Sequence, residues 1–170
     1  MNNREKNQHV RKQLLHTLLE MMAEQDFDTI SVCDLTHRSG VGRASFYRSY
    51  ATTEDILAYE SARLMQAWGG HLQGEKPEDF SVALISLFDF LKENGAFYMA
   101  LYEAGRERIV QDAIISQFHV SDDAPNEVAY LFHAFAFTLF GWVDAWIRRG
   151  MTESGAELAQ MFAKAQQRGS

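Results

Sequence analysis

Residues 30–50 read ISVCDLTHRSGVGRASFYRSY. Ser31 is suited to cap a helix, and Asp34 lies at the third helical position, where it completes a capping box. Gly40 occupies a turn that requires a left-handed backbone, in which a Cβ would be costly. Phe46 then packs a second short helix onto the first. This plan is typical of a helix-turn-helix, whose second helix fits the major groove of DNA. The alternative is an ordinary helical hairpin, because capped helices joined by glycine are common in all-helical proteins.

The composition predicts an all-α protein with a good core. The chain has 170 residues, 46% of them apolar, only two prolines, and no segment with the β-branched alternation of a strand. A single cysteine, Cys33, excludes an internal disulfide framework. Cys33 is either a redox or electrophile sensor or an incidental residue.

The hydrophobic pattern predicts about nine helices, with a helix-turn-helix domain over residues 1–50 and a helical effector-binding and dimerisation domain over 51–170. The first helix covers 7–25, and a helix over about 53–72 follows the motif until Gly69, Gly70 and Gly74 break it. Pro77 opens the next helix at a first-turn position. Further helices are divided near Asn94-Gly95, Gly105, Asp122-Asp123-Ala124-Pro125 and Gly150, and the last begins at Thr152-Glu153-Ser154-Gly155.

The charge distribution leaves room for a nucleic-acid partner despite a net charge of −7. Residues 1–60 hold seven basic and nine acidic side chains, whereas residues 61–170 hold nine and fourteen. Within residues 31–50 three positive charges stand against one negative. The acidic excess therefore belongs mostly to the body, where it would suppress non-specific DNA binding.

Targeting, membrane and catalytic signals are not recognised in the sequence. No basic-flanked apolar leader opens the chain, which predicts a cytoplasmic protein. The apolar segment 128–143 falls short of the roughly 20 residues that span a bilayer, so we expect a helix buried in protein and no membrane partner. No metal-ligand spacing, nucleophile and base set or phosphate-binding glycine loop occurs, so we expect no metal, no cofactor and no enzyme activity.

The N-terminal third resembles the tetracycline-repressor (TetR) family. The resemblance lies in Ile30-Ser31-Val32, Leu35, Gly40-Val41, Arg43 to Tyr50 and Glu54-Asp55-Ile56-Leu57, and it covers residues 8–60 in detail. Residues 141–151 are similar to the penultimate helix of one broad subgroup of that family. The resemblance implies a homodimer whose third helices enter successive major grooves of a palindromic operator.

The resemblance also assigns DNA contacts. Arg43, Ala44 and Ser45 would face base edges, since arginine can bond guanine bidentately and small side chains can approach a thymine methyl. Tyr47, Arg48 and Tyr50 would meet the phosphate backbone or pack beneath it. The predicted set is completed by Ser31, Thr52 and Thr53.

Three positions depart from the family pattern. Thr36 replaces the usual Ala, and its hydroxyl is expected to bond a carbonyl one turn back. Gly42 replaces a frequent Ser and so removes an N-cap side chain. Thr53 replaces a frequent Lys, which predicts weaker and less salt-dependent DNA binding, although Thr52 and Asp55 still form a capping box. The compensating charges would be Arg4, Lys6, Arg11 and Lys12, with a solvated tail as the alternative; Arg38 is interpreted as a solvated charge.

The helix over 125–149 has two neighbouring apolar faces. A stripe this wide exceeds what packing on one side requires. The family architecture implies that one face meets the body and the other a partner subunit. The predicted dimer interface combines this helix with the last one through Leu131, Phe135, Leu139, Trp142, Trp146, Leu158, Met161 and Phe162.

A cavity for a small apolar or aromatic effector is implied by the resemblance. Its candidate walls are Phe88, Met99, Tyr102, Phe118, His133 and Phe137, for each of which ordinary core packing is the alternative. The leading hypothesis is a dimeric repressor released by a small molecule. The alternatives are a DNA-binding adaptor governed by a protein partner, without a small-molecule pocket, and an activator.

Overall fold

The computed structural model describes residues 3–74, 80–118, 120–121 and 123–168, and within these ranges the fold consists of helices without a strand. The all-α prediction is therefore confirmed. The helices are α1 (Asn3–Met22), α2 (Val32–Ser39), α3 (Arg43–Tyr47), α4 (Glu54–Gly74), α5 (Phe80–Glu93), α6 (Gly95–Glu103), α7 (Glu107–Ser116), α8 (Asn126–Arg148) and α9 (Gly155–Arg168). A short 3₁₀ turn, Phe27–Thr29, connects α1 to α2.

The first three helices pack around a shared apolar centre. Leu14 and Leu18 of α1, Leu35 of α2 and Phe46 of α3 have no exposed surface. Helix α1 ends three residues earlier than predicted because Asp26 caps the 3₁₀ turn, accepting a 3.0 Å hydrogen bond from the N–H of Asp28. Helix α3 has five residues and buries one side, through Phe46.

Helix α4 continues through the glycines that were predicted to end it. It runs through Gly69 and Gly70 to Gly74, because tertiary packing outweighs a cost of about 1 kcal/mol per glycine. Trp68 is 7% exposed and its Nε1 donates to Ser86 Oγ at 3.2 Å. A Cβ on Gly69 would lie 2.8 Å from Oε1 of Gln117, so this glycine permits close approach of the segment after α7.

The other predicted breaks coincide with observed helix ends. Gly105 and Gly150 adopt left-handed backbones, with φ of +66° and +82°, after α6 and α8. Residues 123–125 form the predicted turn before α8. Ser154 caps α9, accepting from the N–H of Glu157 at 3.3 Å. Pro77 and Asp122 lie outside the described residues.

Helix α8 is buried along one face and exposed along the other, which corrects the expectation of a helix buried in protein. Residues Ala136, Leu139, Val143, Trp146 and Ile147 face the body. By contrast, Tyr130, Leu131 and Phe137 are 70%, 69% and 52% exposed. The helix packs on α6 and α7, and its outer face has no cover in the described part of the chain.

Length and composition alone would allow α8 to cross a membrane. Within the described part of the chain it is the one helix long and apolar enough, and 17% of its most apolar 18 residues are buried. In the fold it carries Asp144, whose carboxylate accepts from Arg148 at 3.1 Å, and it forms one wall of the helical body.

Candidate nucleic-acid interface

Helix α2 begins and ends as predicted. Ser31 Oγ accepts from the N–H of Asp34 at 3.1 Å, and the same hydroxyl donates to the Asp34 carboxylate at 2.5 Å. Gly40 follows with φ of +68°. Nε2 of Gln13 donates to the carbonyl of Ser39 at 2.6 Å, which joins the end of α2 to α1. The capping hydrogen bonds engage the hydroxyl of Ser31, which was predicted to contact DNA.

The hydroxyl of Thr36 finds the partner that was predicted for it. It donates to the carbonyl of Cys33 at 3.1 Å, which satisfies a hydroxyl on a buried residue. Gly42 provides no side-chain cap for α3, as expected. The Thr36 hydroxyl is therefore satisfied within its own helix, whereas α3 begins without a side-chain cap.

Helix α3 presents its predicted DNA-contacting side chains together. Arg43, Ala44, Tyr47 and Arg48 are exposed, and Ser45 is half-buried beside them. Phe46 points the opposite way, into the core, and is fully buried. The helix therefore has an inner anchoring face and an outer face of basic, hydroxyl and small side chains.

Two of the outer side chains are held by neighbours in the free protein. The guanidinium of Arg43 donates to Sγ of Cys33 on α2, and that of Arg48 donates to Oγ of Ser45 at 2.6 Å. These contacts lie at the surface, where each is weak enough to be exchanged for a base edge or a phosphate.

Tyr50 packs beneath the surface rather than on it. Its ring is 6% exposed and lies 6.0 Å, centroid to centroid, from both Phe46 and Tyr59. Burial raises the pKa of Tyr50 to about 12. Of the two roles predicted for Tyr50, the structure favours packing.

Arg11 is occupied in packing, which corrects its predicted role as a compensating charge. Its guanidinium lies 4.2 Å from the ring centre of Tyr59 and 5.7 Å from that of Tyr50. Lys6 and Lys12 remain exposed, and the side chain of Arg4 lies outside the described residues. The N-terminal helix therefore offers fewer free cations than its sequence indicates.

Arg38 is more than a solvated charge. It forms a two-bond ion pair with Glu24 that connects α2 to the segment after α1. The hydrogen bond from Arg38 holds the pKa of Glu24 below its ordinary value. The pair was missed because its members lie fourteen positions apart, without a helical spacing to indicate contact.

The start of α4 forms the predicted capping box. The N–H of Asp55 donates to Thr52 Oγ1 at 3.2 Å, and the Asp55 carboxylate accepts from the N–H groups of Ala51 and Thr52, both at 2.8 Å. The N–H groups of Ala51 and Thr52 are therefore already hydrogen-bonded, and the Asp55 carboxylate beside them is negatively charged. Fewer backbone donors remain for a phosphate than the sequence indicated.

The six predicted effector-cavity residues have different surroundings in the described part of the chain. Phe88 packs on Trp146 and Phe118 on Phe135, while the guanidinium of Arg148 lies over Tyr102. His133 and Phe137 lie on the outer face of α8 and are exposed, because other residues of that helix face the body. Met99 lines a cleft beside α1, which is described below.

The predicted interface residues divide into two groups. Four belong to the chain's own core and are at most 4% exposed, which corrects their assignment: Leu139, Trp146, Leu158 and Phe162. Phe135 and Trp142 are half-buried, whereas Leu131 and Met161 are exposed. The prediction placed the outer stripe of α8 about one residue out of register.

Arg106 is a connecting residue that sequence reasoning missed. It follows α6 and pairs with Asp28 of the 3₁₀ turn, while its Nε lies 3.2 Å from the Glu54 carboxylate at the start of α4. Its guanidinium lies 4.8 Å from the ring centre of Phe27. The partners are 78 and 52 residues away in sequence, so no local pattern indicates the contact.

The sequence matches a family model in its C-terminal half. Residues 78–168, more than half of the chain, match TetR_C_8, a transcriptional regulator C-terminal region. No curated protein is detectably similar in sequence.

Several solved structures have a similar fold. Lin0861 from Listeria innocua is 16% identical, with a TM-score of 0.82 over 100% of this chain and 96% of that one. A Syntrophomonas wolfei protein assigned to the TetR family of transcriptional regulators is 16% identical, with a TM-score of 0.63 over 91% of each chain. The fatty acid degradation regulator FadR from Bacillus halodurans is 12% identical, with a TM-score of 0.53 over 88% of this chain and 93% of that one. At these identities the likeness concerns the fold alone.

Proposed function

The chain belongs to the TetR family of transcriptional regulators, and from this premise we propose that it is a dimeric repressor of a palindromic operator, released by a small effector. Residues 1–50 would read the DNA, and residues 51–170 would dimerise and receive the effector. A regulator of this kind acts in the cytoplasm, without a cofactor, a metal or a membrane partner.

One observation carries the DNA-binding role: α3 exposes Arg43, Ala44, Tyr47 and Arg48 while Phe46 anchors it from behind. An anchored helix with an outer face of this chemistry is suited to base and phosphate contacts in a major groove. The acidic body does not oppose this, because its charge lies mainly beyond residue 60.

The exposed face of α8 supports dimerisation. Leu131 and Phe137 on α8 and Met161 on α9 are 47–69% exposed, an extent that is costly for large apolar side chains that form one patch. The small residues Gly141 and Ala145 lie exposed on the same helix and would allow a second helix to approach closely. The proposed interface is therefore the outer face of α8 with the exposed side of α9.

A binding selection on random duplex DNA tests the proposal. We expect an inverted repeat whose half-sites lie about one helical turn apart. Anisotropy titration of that duplex over a salt series, beside sedimentation of the protein alone, would then measure specificity and dimerisation. Failure to enrich any duplex above non-specific binding would refute the DNA-reading role.

An adaptor function is the second candidate, because the same α8 patch suits a protein partner. Tyr130 and Phe132, at 70% and 43% exposed, extend it towards the start of the helix. If the protein sediments as a monomer at micromolar concentrations, the patch is free for another protein and the adaptor hypothesis leads. A tight dimer that buries both Tyr130 and Phe132 would argue against the adaptor hypothesis.

A further inference from the structure

A cleft of about 740 Å³ separates the DNA-binding helices from the body. One wall is formed by Leu19 and Met22 of α1 with Phe27 of the 3₁₀ turn, and the other by Phe97 and Met99 of α6. The cleft is open to solvent along one side. Its volume lies within the range of roughly 300–1,000 Å³ that small-molecule sites occupy.

The rim of this cleft is acidic. Three carboxylates line it, those of Asp26, Asp28 and Glu103, and Arg106 lies beside it, paired with Asp28. Asp26 is engaged with the backbone of the 3₁₀ turn and Asp28 with Arg106. Glu103 is exposed and makes no hydrogen bond or ion pair in the described part of the chain. Apolar, aromatic walls below a negative rim are complementary to a cation with an apolar body.

A cation supplied by the chain lies beside the cleft and contacts two of its lining residues. The guanidinium of Arg106 lies over the Phe27 ring, pairs with Asp28, and is 22% exposed. Its NH1 also donates to the carbonyl of Ala104 at 3.1 Å. A second cation entering the cleft would compete with Arg106 for Asp28.

We propose that this cleft binds a small lipophilic cation, which lies against Phe27 and Phe97, places its charge between Asp28 and Glu103, and displaces Arg106. The binding step is independent of the proposed function. Its regulatory consequence rests on that function: the 3₁₀ turn leads directly to Ser31, the cap of α2, so a shifted turn moves the helix-turn-helix. A ligand that prefers the shifted state lowers the protein's affinity for DNA. Bound DNA lowers the affinity for the ligand by the same factor.

Tetraphenylphosphonium and tetraphenylborate provide the first test, because they share size and shape and differ in charge. Calorimetric titration of the full chain should show one tetraphenylphosphonium bound per subunit and tetraphenylborate binding at least tenfold weaker. Equal affinity for the two ions would overturn the proposal, since an uncharged groove would accept both.

Variants then locate the site. Glu103→Gln should weaken tetraphenylphosphonium binding by about fivefold, the effect of one partly screened charge, whereas Glu127→Gln, the same change at the start of α8, should not alter it. Ala96→Trp should block binding, because Ala96 is exposed at the cleft edge and a large side chain there fills it without entering the core. Unaltered binding to a folded Ala96→Trp protein would place the ion elsewhere and refute the site.

Arg106→Gln tests the competition. Removal of the resident cation frees Asp28, so tetraphenylphosphonium should bind several-fold more tightly; weaker or equal binding would contradict the displacement step. Because these titrations contain no DNA, they remain decisive even if operator selection fails. Where an operator is found, tetraphenylphosphonium should weaken binding of the wild type and leave Ala96→Trp unaffected, and an unchanged wild-type affinity would refute the coupling.

Discussion

Substitution of Gly40 tests how the helix-turn-helix depends on one backbone conformation. Gly40 has φ of +68°, and a Cβ at this position would meet no atom within 4 Å. The cost of Gly40→Ala is therefore conformational: about 1–2 kcal/mol for a left-handed alanine, offset by about 0.4–1 kcal/mol of lost freedom in the unfolded chain. We expect a net loss of about 1 kcal/mol, or a melting temperature about 2–4 °C lower for a chain of this size.

Gly70→Ala is the matched control. Gly70 lies exposed inside α4, where a Cβ would also meet no atom within 4 Å, but its backbone is helical. The same substitution there should raise stability by up to about 1 kcal/mol. Urea titrations of both variants measure the difference directly. If both shift the free energy of unfolding in the same direction, the left-handed turn is not what Gly40 contributes. Operator affinity should fall only for Gly40→Ala, since only that turn orients α3.

Four further outcomes follow from the site. Arg43→Ala should weaken operator binding by about 1–3 kcal/mol and relax one base preference in a repeated selection, and an unchanged sequence preference would refute its role in base readout. Thr53→Lys should steepen the dependence of log affinity on log salt by about 0.9 per subunit, measured by anisotropy, whereas an unaltered slope would mean that no phosphate lies near this position. Alkylation of Cys33, the single cysteine, should reduce operator affinity because its sulfur contacts Arg43, and a Cys33→Ser protein should be insensitive to the reagent. The raised pKa of Tyr50 contributes stability below about pH 10 that is lost as pH rises towards 12; Tyr50→Phe should make the urea midpoint less sensitive over this range, and an identical pH profile would exclude the contribution.

The helix-turn-helix could be predicted from sequence because its signals are local. A capping serine, a glycine in a left-handed turn and a buried phenylalanine each act over three or four residues. The hydrogen bond of Thr36 to the carbonyl of Cys33 was predictable for the same reason. Helix ends were predictable where a glycine adopts a positive φ, as at Gly105, but not where one sits inside a packed helix, as at Gly70.

The positions of charges depend on contacts between distant segments. Arg11 and Arg38 were interpreted as free or solvated charges, yet Arg11 packs on aromatic rings and Arg38 pairs with Glu24. Arg106, which the sequence did not single out, pairs with Asp28 and Glu54. Each of these contacts joins residues from different helices or connecting segments. The spacing of residues along the sequence does not indicate which of these segments meet. The exposure of His133 and Phe137, two of the candidate effector walls, has the same cause, because the rotation of α8 about its axis follows from its packing on α6 and α7.

Local signals in the sequence are enough to specify the helical class, the capped helices, the turn at Gly40 and the outward side chains of α3, since these follow from periodicity and from backbone preferences within a few residues. Only the tertiary structure decides which face of α8 is buried and which arginines are free. It also decides that a cleft with an acidic rim lies between α1 and α6. Those properties depend on the relative placement of whole helices, which is set by the sum of many side-chain contacts between segments distant in the chain.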